Sequence, residues 1–265
     1  LPRRDNHEYI DGAWVKGMMA ESEARTNLVT EAFDFSDASW TKNEVGSIAV
    51  DAVGPDGNVS AVTLVDSGAT GTASVSVRGA FTVATSSSYT MSVYAKQDQL
   101  SWMALGVVGF TTPANGRVWF DLANGVVGTE DTGLSGIITD EGNGFYRCSV
   151  TFTTDASDTS GDTYIYACEG DNVFVNTALD GTSSIIIYGA QLEAGSTPSS
   201  LIPTYGATRT RTAETWTQKE DKIIWPNTTY AGSELVTNGT FDSDVSGWVD
   251  SSDAGGAIAW NASGH

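Results

Sequence analysis

Tyr89-Thr90-Met91-Ser92-Val93-Tyr94-Ala95-Lys96 alternates apolar and polar side chains. That period of two belongs to a half-buried strand. Ser74-Val75-Ser76-Val77-Arg78 repeats the pattern. Arg117 to Leu122 and Ser184 to Leu192 are more continuously apolar, as buried strands are, and Met103 to Phe110 reads as another. Turn clusters separate these runs at Gly54–Asn58, Thr112–Gly116, Asn124-Gly125 and Glu141–Gly144. Helical periodicity is weak, and Ser36 to Trp40, with Ser36 as cap, is the best short helix. Many short strands with Gly-rich turns predict an all-β sandwich or barrel. Strands do not alternate with helices, which argues against a doubly wound α/β enzyme.

Composition narrows the class. The 265 residues carry 13 basic against 33 acidic side chains, a net charge of −20, with 40% apolar residues. An acidic chain rich in aromatics, with eight Trp, has material for a core and is not globally disordered. The charge repels nucleic-acid backbones and anionic membranes, so neither is an expected partner. Membrane insertion is not expected either. A spanning helix needs about 20 consecutive apolar residues, and Met103 to Phe110 is short and broken by Gly106 and Gly109. The ends, Leu1 and His265, read as cuts in a longer or processed chain.

Cys148 lies in the alternating run Phe145–Phe152 and Cys168 in Thr163–Cys168, with the polar stretch Asp155–Asp162 between them. This predicts a β-hairpin with its tip near Asp158, placing the two cysteines opposite each other. Two buried thiols filling a core are the first reading, a cross-strand disulfide the second.

Four regions follow. Residues 1–26 form a charged lead read as an attachment segment, 27–203 the main module, 204–232 a connector, and 233–265 the start of a second, similar module. The last expectation rests on a repeat: Leu28-Val29-Thr30 with Phe33 and Trp40 returns as Leu235-Val236-Thr237 with Phe241 and Trp248. Basic residues of the connector, Arg209, Arg211, Lys219 and Lys222, suit docking onto acidic neighbours or are ordinary linker polarity.

Several segments resemble a known family. Glu23–Leu28 with Phe35–Lys42 resembles the opening of a jelly-roll module of tailed-phage fibre and spike proteins. Tyr89–Lys96 resembles its "TFSVYAK" strand, Trp119–Gly125 its "FDLxTG" turn and Gly142–Cys148 its "GNGWYRC" hairpin entry. Tyr188–Gly195, Thr197-Pro198 and Ile202-Pro203-Thr204 resemble its closing "YGAQLEAGSTPTSYIPT" strand. The matches run in order over about residues 23 to 213. Phe145 replaces the usual Trp, and Leu201 the usual aromatic before "IPT". The family is described as carbohydrate-binding-module-like or concanavalin-like. The resemblance implies a jelly-roll β-sandwich with a lectin-like fold, on the exterior surface of a virion. It further implies a homotrimer among other capsid or tail proteins.

Candidate chemistry is sparse. His7 and His265 both lie near the ends, so a nucleophilic triad would need one to fold back onto the module. Glu169 with Asp171, and Glu141 with Asp140, are paired carboxylates of the sort glycoside hydrolysis needs, or solvated surface charges. No catalytic residue is assigned. A glycan site combines a flat aromatic with polar groups that read hydroxyls. Trp102 and Trp119 are the ligand-binding candidates, with Tyr164 and Tyr166 on or near the same predicted sheet; the alternative places these rings in a core or subunit interface. Structural calcium is the most plausible ion, with Asp51, Asp56, Asn58, Asp66 and Glu193 as possible oxygen ligands. The expectation is therefore a non-enzymatic head-spike or tail-fibre protein that presents a glycan-binding-like module for host attachment. The alternative is an extracellular polysaccharide-degrading enzyme or its carbohydrate-binding module.

Overall fold

The computed structural model describes residues 3–10, 13–19, 21–69, 71–177 and 179–213. The chain divides into two compact units, Leu1–Trp216 and Thr217–His265. The second unit, and with it Lys219, Lys222 and the predicted second module at 233–265, lies outside the described residues, as does most of the connector.

Sixteen strands occupy the described residues. In chain order they are β1 (Arg3–Ile10), β2 (Ala13–Met19), β3 (Arg25–Asn27), β4 (Thr41–Asn43), β5 (Val45–Val53), β6 (Val59–Asp66), β7 (Val75–Thr82) and β8 (Ser88–Gln97). They continue as β9 (Trp102–Val108), β10 (Gly116–Asp121), β11 (Val126–Glu130), β12 (Ser135–Asp140), β13 (Tyr146–Thr153), β14 (Ser160–Cys168), β15 (Ser184–Ala194) and β16 (Arg209–Arg211). Two six-stranded antiparallel sheets result, ordered β11-β10-β9-β14-β7-β4 and β12-β13-β8-β15-β6-β5. Without the edge strands β4, β5, β11 and β12, the sheets read β10-β9-β14-β7 and β13-β8-β15-β6. Among these eight strands the chain crosses between sheets at β6–β7, β7–β8, β8–β9, β10–β13 (by way of β11 and β12), β13–β14 and β14–β15. Eight strands wound this way form a jelly roll.

The alternation seen in the sequence places the core. Met91 and Val93 of β8, Met103 and Leu105 of β9, Val118 and Phe120 of β10, and Val150 and Phe152 of β13 all point between the sheets and are buried. Each such side chain contributes about 1.5–3 kcal/mol on burial. In β15 the inward parity changes, from Ile185 and Ile187 to Ala190 and Leu192. The switch is a bulge between Tyr188 and Gln191, where Gly189 adopts φ +61°. Tyr188, Gln191 and Glu193 consequently miss the core. Gln191 Oε1 accepts the Ile202 amide, and Glu193 takes the amide and hydroxyl of Ser199. The "YGAQLEAG" motif is thus a bulge followed by a fastening for the returning chain. Leu201 packs over Gly189, and Phe145 is buried below the Lys96 ammonium.

The module's ends meet. β3 pairs antiparallel with β16, Thr26 bonds Thr210, and Arg211 forms an ion pair with Glu21. Arg211 therefore serves this closure, while Arg209 stays exposed.

Two predicted local structures differ from those observed. β13 and β14 do not form a hairpin: β13 pairs with β12 and β8, and β14 with β7 and β9. The polar stretch between them is a corner from one sheet to the other. Cys148 points into the core, Cys168 to the outer face of the other sheet, and both are free thiols. Burial pushes both thiols above their ordinary range. Ser36–Trp40 is a set of turns, not a helix, because Asp34 Oδ1 takes the Ser36 amide and Asp37 Oδ1 the Ser39 amide.

Asp158 holds the β13–β14 corner. Its carboxylate accepts the amides of Thr111 at 2.7 Å, Asp155 at 3.0 Å and Thr112 at 3.3 Å. Burial opposes the charge, but these donors outweigh it and lower the carboxyl to about 2. A depressed folded-state value stabilises above the unfolded carboxyl range, and that stability disappears as pH falls from about 4 towards 2. Asp158→Asn should lower the melting temperature at pH 6 and flatten its decline between pH 5 and 2. Parallel melting curves for both proteins over that range check this.

Candidate ligand-binding site

The outer face of the sheet containing β14 carries the aromatic side chains that the core leaves out. On β14, Ile165 and Ala167 point inward, so Tyr164, Tyr166 and Cys168 point outward. Across the ladders, Tyr164 faces Gly106 of β9, and Gly106 faces Arg117 of β10. Gly106 makes room for its neighbours. A Cβ there would lie 2.7 Å from Tyr166 Cε2 and 3.3 Å from Tyr164 Cβ. Tyr164 and Tyr166 stack with centroids 5.2 Å apart and planes 4° from parallel.

Cations flank the pair. Arg78 of β7 lies 5.9 Å from the Tyr164 centroid and forms an ion pair with Asp162. Arg117 lies 5.3 Å from the Tyr166 centroid and 3.7 Å from that of Phe174. Burial raises the Tyr166 hydroxyl above its usual range, although Arg117 opposes this, so the phenol is neutral at physiological pH. Tyr164 is half-buried, with Arg78 and Asp162 beside it at 39% and 22% side-chain exposure. This arrangement groups a half-buried aromatic ring with charged donors and acceptors that can bond hydroxyls.

Trp102 and Trp119 also belong to this face, in one cluster with Ala104, Tyr166 and Cys168. Their positions correct the sequence reading. Trp119 is only 2% exposed, and its indole N–H donates to Val173 O at 3.2 Å, so no sugar reaches its ring. The chain from Gly170 to Thr177 covers it, tied down where Asp171 accepts the Thr129 amide and Glu169 the Thr177 amide. Trp102 is half-buried, its edge against Gly128 and Asp171. It borders the site rather than forming its floor. Sequence reasoning missed Arg78, Arg117 and Phe174. The first two were visible as outward positions in alternating runs; Phe174 lies in a loop without periodicity.

The carboxylates considered for catalysis are engaged in local structure. Glu169 and Asp171 hold the cover, and Asp140 Oδ1 accepts the Gly142 amide in the β12–β13 turn. The possible calcium ligands do not converge. Asp51 accepts the Thr63 hydroxyl, Asp56 the Ser60 hydroxyl and Asn58 amide, Asp66 the Asp180 amide, and Glu193 the Ser199 donors. Among the described residues no group of three or more His, Cys, Asp or Glu side chains is placed to hold a metal.

No family model matches the sequence, and no curated protein matches it. Solved structures do show likeness. The enzymatically active domain of tailspike protein 4 from bacteriophage CBA120 overlaps 64% of this chain at 10% identity, with a TM-score of 0.40. A CBM4 structure overlaps 63% at 11% identity, TM-score 0.37, and the CBM22-1-GH10 modules of Clostridium thermocellum xylanase 10B overlap 69% at 14% identity, TM-score 0.31. The overlap covers 21% of the tailspike chain, 99% of the CBM4 chain and 30% of the xylanase chain. Likeness of this extent carries no functional weight; the jelly roll rests on the strand order itself.

Proposed function

We propose that this chain is a non-enzymatic structural protein of a bacteriophage particle surface, and that its jelly roll presents a glycan-binding face to the host. The observation that carries the binding reading is the Tyr164–Tyr166 stack between Arg78 and Arg117, on a sheet face not spent on the core. The ordered motif resemblance over residues 23 to 213 supports the particle-surface setting. Occupation of the candidate carboxylates by turn and loop amides supports a role without catalysis.

Tyr164→Ala should weaken glycan binding by about tenfold or more, since a central aromatic anchor carries a large share of binding energy. Its melting temperature should change little, because the ring is half-buried. Binding of the full chain and the variant to host surface polysaccharides, with a parallel assay for released reducing ends, tests the whole reading. Binding without release is the expected result. Oligosaccharide release would favour the polysaccharide-degrading alternative. Undiminished binding by the variant would move the site elsewhere.

A further inference from the structure

Arg117 has unused hydrogen-bonding capacity. Arg25 pairs with Glu23, Arg78 with Asp162 and Arg211 with Glu21. Arg117 makes no ion pair among the described residues, although acidic residues outnumber basic ones 33 to 13. Its guanidinium carbon sits 3.7 Å from the centre of the Phe174 ring, and its Nε is buried without a hydrogen-bond partner. The Phe174 ring satisfies the guanidinium face and the Tyr166 hydroxyl takes one side-chain hydrogen bond, which leaves further N–H groups in the guanidinium plane. The in-plane fork is the geometry that binds a carboxylate through two parallel hydrogen bonds. Arg117 is also held in place, with Phe174 and Tyr166 fixing its plane and Gly106 leaving the adjoining position without a side chain.

We infer that this face selects a carboxylate-bearing sugar, a uronic or sialic acid residue, with the carboxylate on Arg117 and the sugar ring on Tyr164. This rests on the glycan-binding reading and adds the ligand's charge. The net charge of −20 repels anions at long range, but at physiological salt that repulsion is screened beyond about 8 Å. Inside that distance, on the outer faces of β7, β14, β9 and β10, Arg78 is offset by Asp162. Asp121 is occupied by the amides of Ala123 and Asn124. Arg117 remains as the cation without an ion pair among these four strands.

The test titrates the full chain, at 0.15 M salt, with uronate- and sialate-bearing oligosaccharides and with the carboxyl-reduced counterpart of each. At least one acidic sugar should bind about tenfold or more tightly than its reduced counterpart. Arg117→Gln should erase that difference, and Arg117→Lys should restore part of it. Tyr164→Ala should weaken both members of the pair. Equal binding of both members, or a preference that survives Arg117→Gln, overturns the inference but leaves the glycan site standing. Binding of neither, throughout the set, overturns the glycan site and the inference together. An unchanged melting temperature for Arg117→Gln confirms that its effect is on recognition.

Discussion

Asn27→Ala should be among the most destabilising single substitutions in the module, at about 4 kcal/mol. Asn27 is fully buried at the end of β3. Its Nδ2 donates to Ala190 O at 3.1 Å and Ile202 O at 3.0 Å, and its Oδ1 accepts the amides of Val29 and Leu192, both at 3.1 Å. One amide side chain thus joins the entering chain, the bulged strand β15 and the returning segment. Alanine would leave two carbonyls and two amides buried without partners, each costing about 1–3 kcal/mol before relaxation and water entry. Against a typical domain stability of about 5–15 kcal/mol, the loss is a large fraction. Asn27→Asp tests the mechanism separately. It keeps the acceptor but turns an oxygen towards two carbonyls. It should cost more at pH 7 than at pH 4, where protonation restores one donor. Chemical denaturation of the three proteins at both pH values gives the comparison. Equal losses at both values would show that the bond pattern is not the source.

The same residue shows why parts of the fold were legible and others not. β7, β8 and β13 announced themselves because one face of each meets a core, which period-two alternation records directly, and β10 and β15 by their more continuous apolar runs. β5 did not. As an edge strand it alternates poorly in burial, and its pairing with β6 holds it. The β13–β14 crossing was misread as a hairpin because a polar run reports that the chain leaves a sheet, not which sheet it joins next. Asp158 decides that by gathering amides from residues 111 and 112. Asn27 appeared within a matched motif, yet its role depends on carbonyls more than 160 residues away. The motifs themselves proved to be structural chemistry: a bulge at Gly189, and a run of left-handed residues at Gly142, Asn143 and Gly144. The candidate site was legible in its aromatic content but not in its accessibility. Nothing within β10 indicates that residues 170–177 return to cover Trp119, or that Phe174 supplies the surface on which Arg117 rests.

Trp119 therefore makes a strong prediction about stability where the sequence pointed to ligand contact. Its ring fills the space beneath the 170–177 cover, against Tyr166 and Cys168. Trp119→Ala should cost about 3–5 kcal/mol, through lost burial and the cavity left behind. The lost indole bond to Val173 O should also loosen the cover, because its remaining hydrogen bonds to the rest of the module, at Asp171, Thr177 and Asn176, lie towards the two ends of the segment. Hydrogen exchange at residues 171–176 should rise more than exchange in β8, which lies in the other sheet. Trp119→Phe retains most of the apolar volume and forfeits the N–H donor, so it should recover most of the stability but little of the cover's protection. Trp102→Ala provides the contrast. Its half-buried ring at the rim should cost less on unfolding. A Trp119→Ala protein that keeps wild-type stability and cover protection while losing glycan binding would show the opposite of this assignment: a ring that opens to solvent and meets the sugar itself.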